Sequence, residues 1–524
     1  MMAGSSLAAA QCTTIDFSEP STIDDGNPMT ARIVVRPGQS LNEISPLLFG
    51  SAVEWVDHGN GLCDPATGEL RQAVIDELLP LRLPVIRFPG GILADHYHWR
   101  DGIGPLKTRL ARKNPMDGSD QANTFGTDEY IRLLKALRAE ALVTANVGTG
   151  TYDELATWRE HFARQGSPVT YWELGNEIYL AEPKTSATIP GNDARIYKTP
   201  RNYAMIARDW ARQLRGSAPG LLAGGIAGTG NTSHENRGWL QTLVREAGAD
   251  LDFIALHNAF APLAPAGYDF TDRVRRENSY RAMFAQAMTS ADDCADVRRH
   301  CEAAAPGRQV RLAITEHFPL FGTGGDDAGM RRLLDQSRTM ASAMYTASLF
   351  HAWMREGVWM AAYNLTTSKW FGALLTDTDA GLIRTPTYHV FDLLRNRLGT
   401  RRVAIDVEGG RFPTDAVGPI AARAAVPYLD SVAAIDATGG LTVSVINRRF
   451  GAPVTATFDG AAAAAVDVWS LAANDPSAIN GPRLSESTRA DSLIQPRRSQ
   501  WTFTPGSARE LPPNSLTLLR WPAA

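Results

Sequence analysis

YWELGNE, residues 171–177, is the stretch on which the fold of this 524-residue chain turns. Tyr171, Trp172 and Leu174 belong to a buried strand, yet Glu173 and Glu177 stand four apart in it, with Asn176 directly before the second. Side chains along a strand alternate between its two faces, so Glu173, Gly175 and Glu177 share one face. An acid in the middle of such a run must be paired, whereas one at its end is free to meet a ligand. Parity points Glu173 inward, to a base such as Arg87 in VIRFPGG.

Seven further runs of the same character flank this one. They are LLFGSAVEW (47–55), PVIRFPGG (84–91), ALVTANVGTG (141–150), LLAGGIAGTG (221–230), FIALHNAF (253–260), RLAITEHF (311–318) and VWMAAYNL (358–365). Between them, TDEYIRLLKALRAE (127–140), YDELATWREHFARQ (152–165) and RNYAMIARDWARQLR (201–215) repeat apolar residues at three and four, the helical period. The runs are continuously apolar rather than alternating, as parallel strands covered on both faces are. Eight of them separated mostly by helices predict an α/β fold, a (β/α)8 TIM barrel over 47–398. A doubly wound nucleotide fold lacks its signature here, since GTGTYD (148–153) carries Asp153 where a third glycine belongs. Neither a phosphate-binding G-x-x-x-x-G-K-[ST] nor a G-x-S-x-G nucleophile elbow occurs. After about residue 399 the text becomes short β runs with Gly/Pro turns, as in LDSVAAIDATGGLTVSVINRR (429–449), predicting a C-terminal antiparallel β-sandwich over 399–524. ARIVVRP, within 31–46, reads as an early strand contributed to that sandwich.

A net charge of −4 argues against nucleic acid as partner, since such proteins carry a basic face. No apolar run approaches the ~20 residues of a membrane span. Residues 1–30 read as an unpatterned leader or signal remnant, SSLAAAQ resembling the tail of a secretory signal, which favours a secreted or periplasmic location over a cytoplasmic one. Cys294 and Cys301, in CADVRRHC, are compatible with a disulfide or with two free thiols two helical turns apart. No C-x2-C or H-x3-H pair supports zinc. His96 and His98 in DHYHW lack a third ligand, so structural or substrate contact is the reading.

Function in a barrel of this kind collects at the C-terminal strand ends. That filter selects Glu54 (first run), Glu177 (fourth), His257 (sixth) and Glu316 (seventh). Two carboxylates facing each other across a barrel mouth are what glycosidic cleavage needs: one protonates the leaving oxygen, the other attacks the anomeric carbon or activates water. Their surroundings must split their pKa values. Such chemistry needs neither cofactor nor metal.

GNE at the fourth strand and a glutamate ending the seventh resemble the (β/α)8 retaining glycosidases. More specifically the chain resembles family 51 glycoside hydrolases, the α-L-arabinofuranosidases, through FPGG (88–91), HWRDGIGP (98–105), NVGTG (146–150), LLTDTDAGLIRTPTYHVFDLL (374–394) and LPPNSLTLLRW (511–521). The likeness runs from about residue 31 to the end. It implies Glu177 as general acid/base and Glu316 as nucleophile, Asn176 on the hydroxyl next to the anomeric carbon, and Glu54 on other hydroxyls of that sugar. The implied partner is an oligo- or polysaccharide with a terminal furanoside, and the likeness also suggests a homo-oligomer.

The chain departs from the family pattern at Ile92, where an asparagine touches the sugar, at Asn258 and Ala259 in place of aromatics, and at His317 in place of tryptophan. A glutamine usual before LLTD has no counterpart. These changes predict a rewritten sugar-binding shell around a retained acid pair. His257 has a structural role or orients the nucleophile, and is counted with the substrate-binding candidates. Trp370, in SKWFG, could stack on a sugar face; Trp99 is kept beside it, although tryptophans such as Trp99 and Trp172 more often lie in cores. The leading function is a retaining, exo-acting α-L-arabinofuranosidase. Beside it stand a related retaining enzyme for a galactofuranoside, D-arabinofuranoside or glucuronide, and a non-catalytic carbohydrate-binding barrel.

Overall fold

A computed structural model describes residues 27–523, apart from 116–117, 181–195, 228–237, 260–272, 309, 320–330, 332–333, 370–371, 380, 418–419, 485–489 and 492. Every one of the eight apolar runs supplies one barrel strand. These are β2 (Gly50–Ala52), β3 (Val85–Phe88), β4 (Glu140–Ala145), β5 (Tyr171–Leu174), β6 (Leu222–Ile226), β7 (Phe253–Ala255), β8 (Arg311–His317) and β9 (Met360–Tyr363). They pair in parallel and in chain order, and β9 returns to β2 to close the barrel. Side chains of β3, β5, β7 and β9 are buried at every position, which explains why the sequence did not alternate.

The helices α1 (Gln72–Leu78), α2 (Thr127–Leu137), α3 (Tyr152–Arg164), α4 (Pro200–Ser217), α5 (Trp239–Ala247), α6 (Arg273–Ala304), α7 (Met340–Glu356) and α8 (Pro386–Arg397) cover the outside. Threonine starts four of them. The hydroxyls of Thr151, Thr199, Thr339 and Thr385 each accept from the backbone N–H three residues on, satisfying a donor that the helix itself leaves free. Pro200 and Pro386 then occupy first-turn positions where no N–H is needed. α7 is buried on all sides from Met340 to Met354, because it lies between the barrel and the C-terminal sheet. Asp430 of that sheet binds Arg355 of α7 at 2.8 Å and Arg448 at 2.6 Å, and His351 Nε2 meets Ser444 Oγ at 2.8 Å.

That sheet is a ladder of nine strands. With β10 (Arg401–Glu408), β11 (Leu429–Ile435), β12 (Leu441–Asn447), β13 (Val454–Asp459), β14 (Ala464–Ala472), β15 (Arg497–Phe503), β16 (Ala508–Leu511) and β17 (Ser515–Arg520), the order is β15-β14-β17-β12-β11-β10-β1-β13-β16. β1 (Thr30–Glu43) is the chain's first described strand, and it pairs antiparallel with β10 and parallel with β13. All other neighbours are antiparallel. Trp501 on β15 and Phe458 on β13, near opposite ends of the ladder, have rings 5.5 Å apart. The sheet therefore folds over upon itself, enclosing a core that includes Ile33, Val443, Val468 and Phe503. Two layers of a sandwich arise from one continuous ladder.

Cys63, Cys294 and Cys301 are buried free thiols. Of the two states compatible with CADVRRHC, the free one is found, with both cysteines on α6.

Candidate active site

The barrel's C-terminal mouth gathers its polar groups around one guanidinium. Arg87 on β3 is fully buried and uses all three nitrogens on three partners, its Nη2 also lying 2.8 Å from Glu173 Oε2. Nε donates to Glu173 Oε2 at 2.9 Å, Nη1 to Glu316 Oε2 at 2.9 Å, and Nη2 to Asn176 Oδ1 at 2.5 Å. Glu173, also buried, is held besides by the Thr144 hydroxyl at 2.6 Å. Burial opposes ionisation of Glu173, but Arg87, with His257 and these hydrogen bonds, holds its carboxyl below the usual range. The inward acid of the opening stretch is thus a structural anion, balanced by the base that parity selected.

Glu316, at the end of β8, has side-chain exposure of 10%, and Glu177, just beyond β5, 17%. Both carboxylates are thus partly exposed, whereas Arg87 and His257 behind them are buried. Burial pushes the Glu316 carboxyl up, the negative charge of Glu177 adds to this, and His257 and Arg87 oppose it. Its other oxygen, Oε1, accepts from Asn364 Nδ2 at 3.3 Å. Glu177 is held differently. His257 Nδ1 lies 2.8 Å from its Oε1, while Nε2 contacts the Thr315 hydroxyl at 3.0 Å. With Glu177 ionised, Nδ1–H donates to it and Nε2 accepts from Thr315, a tautomer assigned from these partners. His257 is buried and hydrogen-bonded behind Glu177, in keeping with the structural one of the two roles weighed for it.

Local backbone puts the carboxylates where they are. Gly175 (φ +83°) and Glu177 (φ +35°) are both in the left-handed region, so the strand turns sharply at GNE and lifts Glu177 into the mouth. Opposite, the two glycines of FPGG make room. A Cβ at Gly90 would lie 2.5 Å from Glu54 Cγ, and one at Gly91 would lie 2.7 Å from Glu316 Oε2. Glu54 accepts from Asn60 Nδ2 at 3.0 Å; burial pushes its carboxyl up to about 7, against the Asn60 bond and with help from the charges of Glu316 and Asp57. Asn176 spends its carbonyl oxygen on Arg87, leaving a buried Nδ2 with no partner among the described residues.

Trp99 is buried, its Nε1 donating to the Glu154 carbonyl at 3.1 Å and its ring beneath Arg100, which ties it to the framework. The departures at Asn258, Ala259 and His317 are all buried as well. Asn258 bonds Ser290 and Asp293 of α6. His317 points away from Glu316, as alternation requires, into a box of Phe350, Trp353 and Tyr363. At Asn258 and His317 the changed side chains make packing and hydrogen-bond contacts behind the mouth. Ile92 packs half-buried against the core. Trp370 lies outside the described residues. His98 Nδ1 pairs with Glu154 at 3.0 Å, and no group of three or more His, Cys, Asp or Glu among the described residues could hold a metal.

The sequence reading missed Asn364 as a site residue, although a polar side chain ending the eighth run passes the same filter that selected the glutamates. It also missed Asp95, in the short helical turn Ile92–His96. Nothing in ILADH marks that residue.

A closed (β/α)8 barrel with two carboxylates at the ends of its fourth and seventh strands is an arrangement able to cleave a glycosidic bond. Comparison with known proteins narrows the class. The alpha-L-arabinofuranosidase 1 domain matches residues 77–167 and the alpha-L-arabinofuranosidase C-terminal domain residues 321–515, together more than half of the chain. The chain is an α-L-arabinofuranosidase-like member of glycoside hydrolase family 51. It is 25% identical to a probable alpha-L-arabinofuranosidase C of Aspergillus clavatus, over 94% of this chain and 98% of that protein. Similarity to an intracellular exo-alpha-L-arabinofuranosidase of Bacteroides ovatus is also 25%, over 85% and 84%. In fold it is similar to the family 51 enzyme of Bifidobacterium longum (TM-score 0.78, 21% identity, 95% and 100% covered). The arabinose complex of the Thermotoga maritima enzyme is comparably similar (TM-score 0.74, 22%, 94% and 100%).

Proposed function

We propose that the chain removes terminal α-L-arabinofuranosyl units from oligo- or polysaccharides, exo-acting and with retention of configuration. One observation carries this reading. Glu177 and Glu316 are near enough that the charge of one pushes the other's carboxyl up, yet each is held by a different group, His257 or Arg87. That asymmetry is what two carboxylates need if they are to play two parts. The furanoside glycone rests on the relatives.

In the first step an oxygen of the Glu316 carboxylate bonds to the anomeric carbon as the glycosidic C–O bond breaks, and the Glu177 carboxyl gives its proton to the departing oxygen. Arg87, bonded to Glu316 Oε2, opposes the upward push on that carboxyl and so favours its anionic, attacking form. In the second step Glu177, now a carboxylate held by His257, takes a proton from water. The water oxygen bonds to the anomeric carbon and the ester to Glu316 breaks. Two inversions give net retention. The orphan amide of Asn176 supports a hydrogen bond to the 2-hydroxyl, an interaction that strengthens in transition states of this type.

Glu316→Gln should abolish turnover, while Glu177→Gln should still release an activated aryl leaving group, which needs no protonation, in a first-turnover burst before deglycosylation stalls. Equal residual activity of the two variants on an activated aryl furanoside contradicts these roles. Absence of release from any of a panel of aryl furanosides and pyranosides supports a binding protein instead.

A further inference from the structure

The buried carboxylate of Asp95 belongs to no step described so far, yet it touches two of the loops that form the mouth. Its Oδ1 accepts from the Gly148 N–H at 2.7 Å and its Oδ2 from the Asn176 N–H at 2.7 Å. Its own backbone carbonyl accepts from the Thr149 hydroxyl at 2.8 Å. Only 1% of the residue is exposed, so these bonds face no competition from water. Packing around the carboxylate is tight: a Cβ at Gly148 would lie 2.7 Å from Asp95 Cβ. One side chain from the loop after β3 thus laces the loop after β4 to the turn after β5.

We propose that Asp95 is a positioning residue that sets the hold of Asn176 on the 2-hydroxyl of the sugar. The argument is geometric. Asn176 sits between Gly175 and Glu177, both at positive φ, in a turn with no regular ladder to fix it. Two bonds locate it: its N–H on Asp95, and its side-chain oxygen on Arg87. With backbone and carbonyl oxygen both pinned, the free Nδ2 has a single direction left. Removing the backbone anchor lets the turn relax and swings that donor out of line, and a misplacement of the order of 1 Å weakens a transition-state hydrogen bond about a hundredfold. This inference rests on the function proposed above, in particular on the 2-hydroxyl as partner of Asn176.

A substrate cycle tests it with the full chain. kcat/KM is measured for an aryl α-L-arabinofuranoside and its 2-deoxy analogue with the wild type, Asp95→Asn and Asn176→Ala; the intrinsic reactivity of the deoxy sugar cancels between proteins. Asparagine at 95 is isosteric but cannot accept from both N–H groups. Expected is a loss of about tenfold or more for Asp95→Asn on the parent sugar and less than about threefold on the deoxy sugar, paralleling Asn176→Ala. A role confined to holding the fold predicts equal losses on both sugars, which overturns the proposal. Asp95→Ser, smaller and retaining an acceptor, supplies the same comparison where the asparagine variant is not folded by thermal melt. If Asn176→Ala keeps the wild-type discrimination, the 2-hydroxyl reading itself fails. If Asn176→Ala loses the discrimination and the Asp95 variants keep it, the inference about Asp95 alone fails.

Discussion

Arg87→Lys is the substitution that separates charge from geometry at this site. It keeps a cation in the barrel, but one nitrogen replaces three that now serve Glu173, Glu316 and Asn176 at 2.9, 2.9 and 2.5 Å. At least one arm is lost, and the arm to Glu173, the most deeply buried acid, is the one a lysine retains first. A hydrogen bond to a charged group contributes about 1.5–3 kcal/mol. Losing the arm to Glu316 or Asn176 therefore costs roughly 10- to 150-fold in kcat/KM, at 1.36 kcal/mol per factor of ten. The pH profile carries the sign. Arg87 opposes the upward push that burial and Glu177 exert on Glu316; weaken it and the Glu316 carboxyl titrates higher. Because the attacking group must be ionised, the acid limb of kcat/KM moves to higher pH, by about one unit for each 1.4 kcal/mol removed. Arg87→Met goes further, leaving two buried carboxylates without their cation, and should cost about 3–5 kcal/mol of stability, read as a lowered Tm. The assay is kcat/KM against pH on an aryl furanoside, with thermal melts alongside. A lysine variant within threefold of wild type at every pH, with an unmoved acid limb, refutes the idea that the three-armed geometry matters.

Gly91→Ala should leave the fold intact and cut kcat/KM by at least about a hundredfold, because its Cβ would press on Glu316 Oε2 at 2.7 Å and a shift of the order of 1 Å is enough; melts and kinetics on one preparation check both halves. His317→Phe tests the aromatic box through acid stability. Burial pushes His317 down to about 3 and neither ring nitrogen has a partner among the described residues. The unfolded chain takes up a proton near 6.5 that the folded one refuses, so the wild type loses stability as pH falls from 6.5 towards 3, by about 2 kcal/mol at pH 5. The phenylalanine variant lacks that loss: the difference in unfolding free energy between the two proteins should be constant above pH 7.5 and grow on acidification, and a difference independent of pH would count against a neutral buried imidazole.

Barrel strands were legible because burial on both faces suppresses alternation, and that signal survives in segments as short as β7, three residues long. The acid pair was legible because a carboxylate ending an apolar run is costly to desolvate and is kept there only where a ligand or a counter-ion meets it. Support behind the site was not. His257 was visible as a strand-end residue, but whether an imidazole backs the acid/base, the nucleophile or the sugar depends on neighbours 58 and 80 residues away, Thr315 and Glu177. Trp99 makes the same point: nothing in its place beside a site motif shows that its Nε1 bonds the Glu154 carbonyl on the helix behind it. Asp95 left no trace in sequence, since its partners are backbone N–H groups, which every residue but proline carries. Asn258, Ala259 and His317 stand out in sequence as departures, yet only their burial shows that they alter packing behind the mouth.

The most direct test of two carboxylates in two roles is to stop the reaction between its halves. Glu177→Gln, incubated with an aryl α-L-arabinofuranoside bearing a good leaving group, should still be glycosylated but lack the base that activates water. Peptide mass mapping should then find one pentosyl unit esterified to Glu316. A pentosyl unit on any other side chain, or a first-formed sugar of inverted anomeric configuration in the wild-type reaction, contradicts the account.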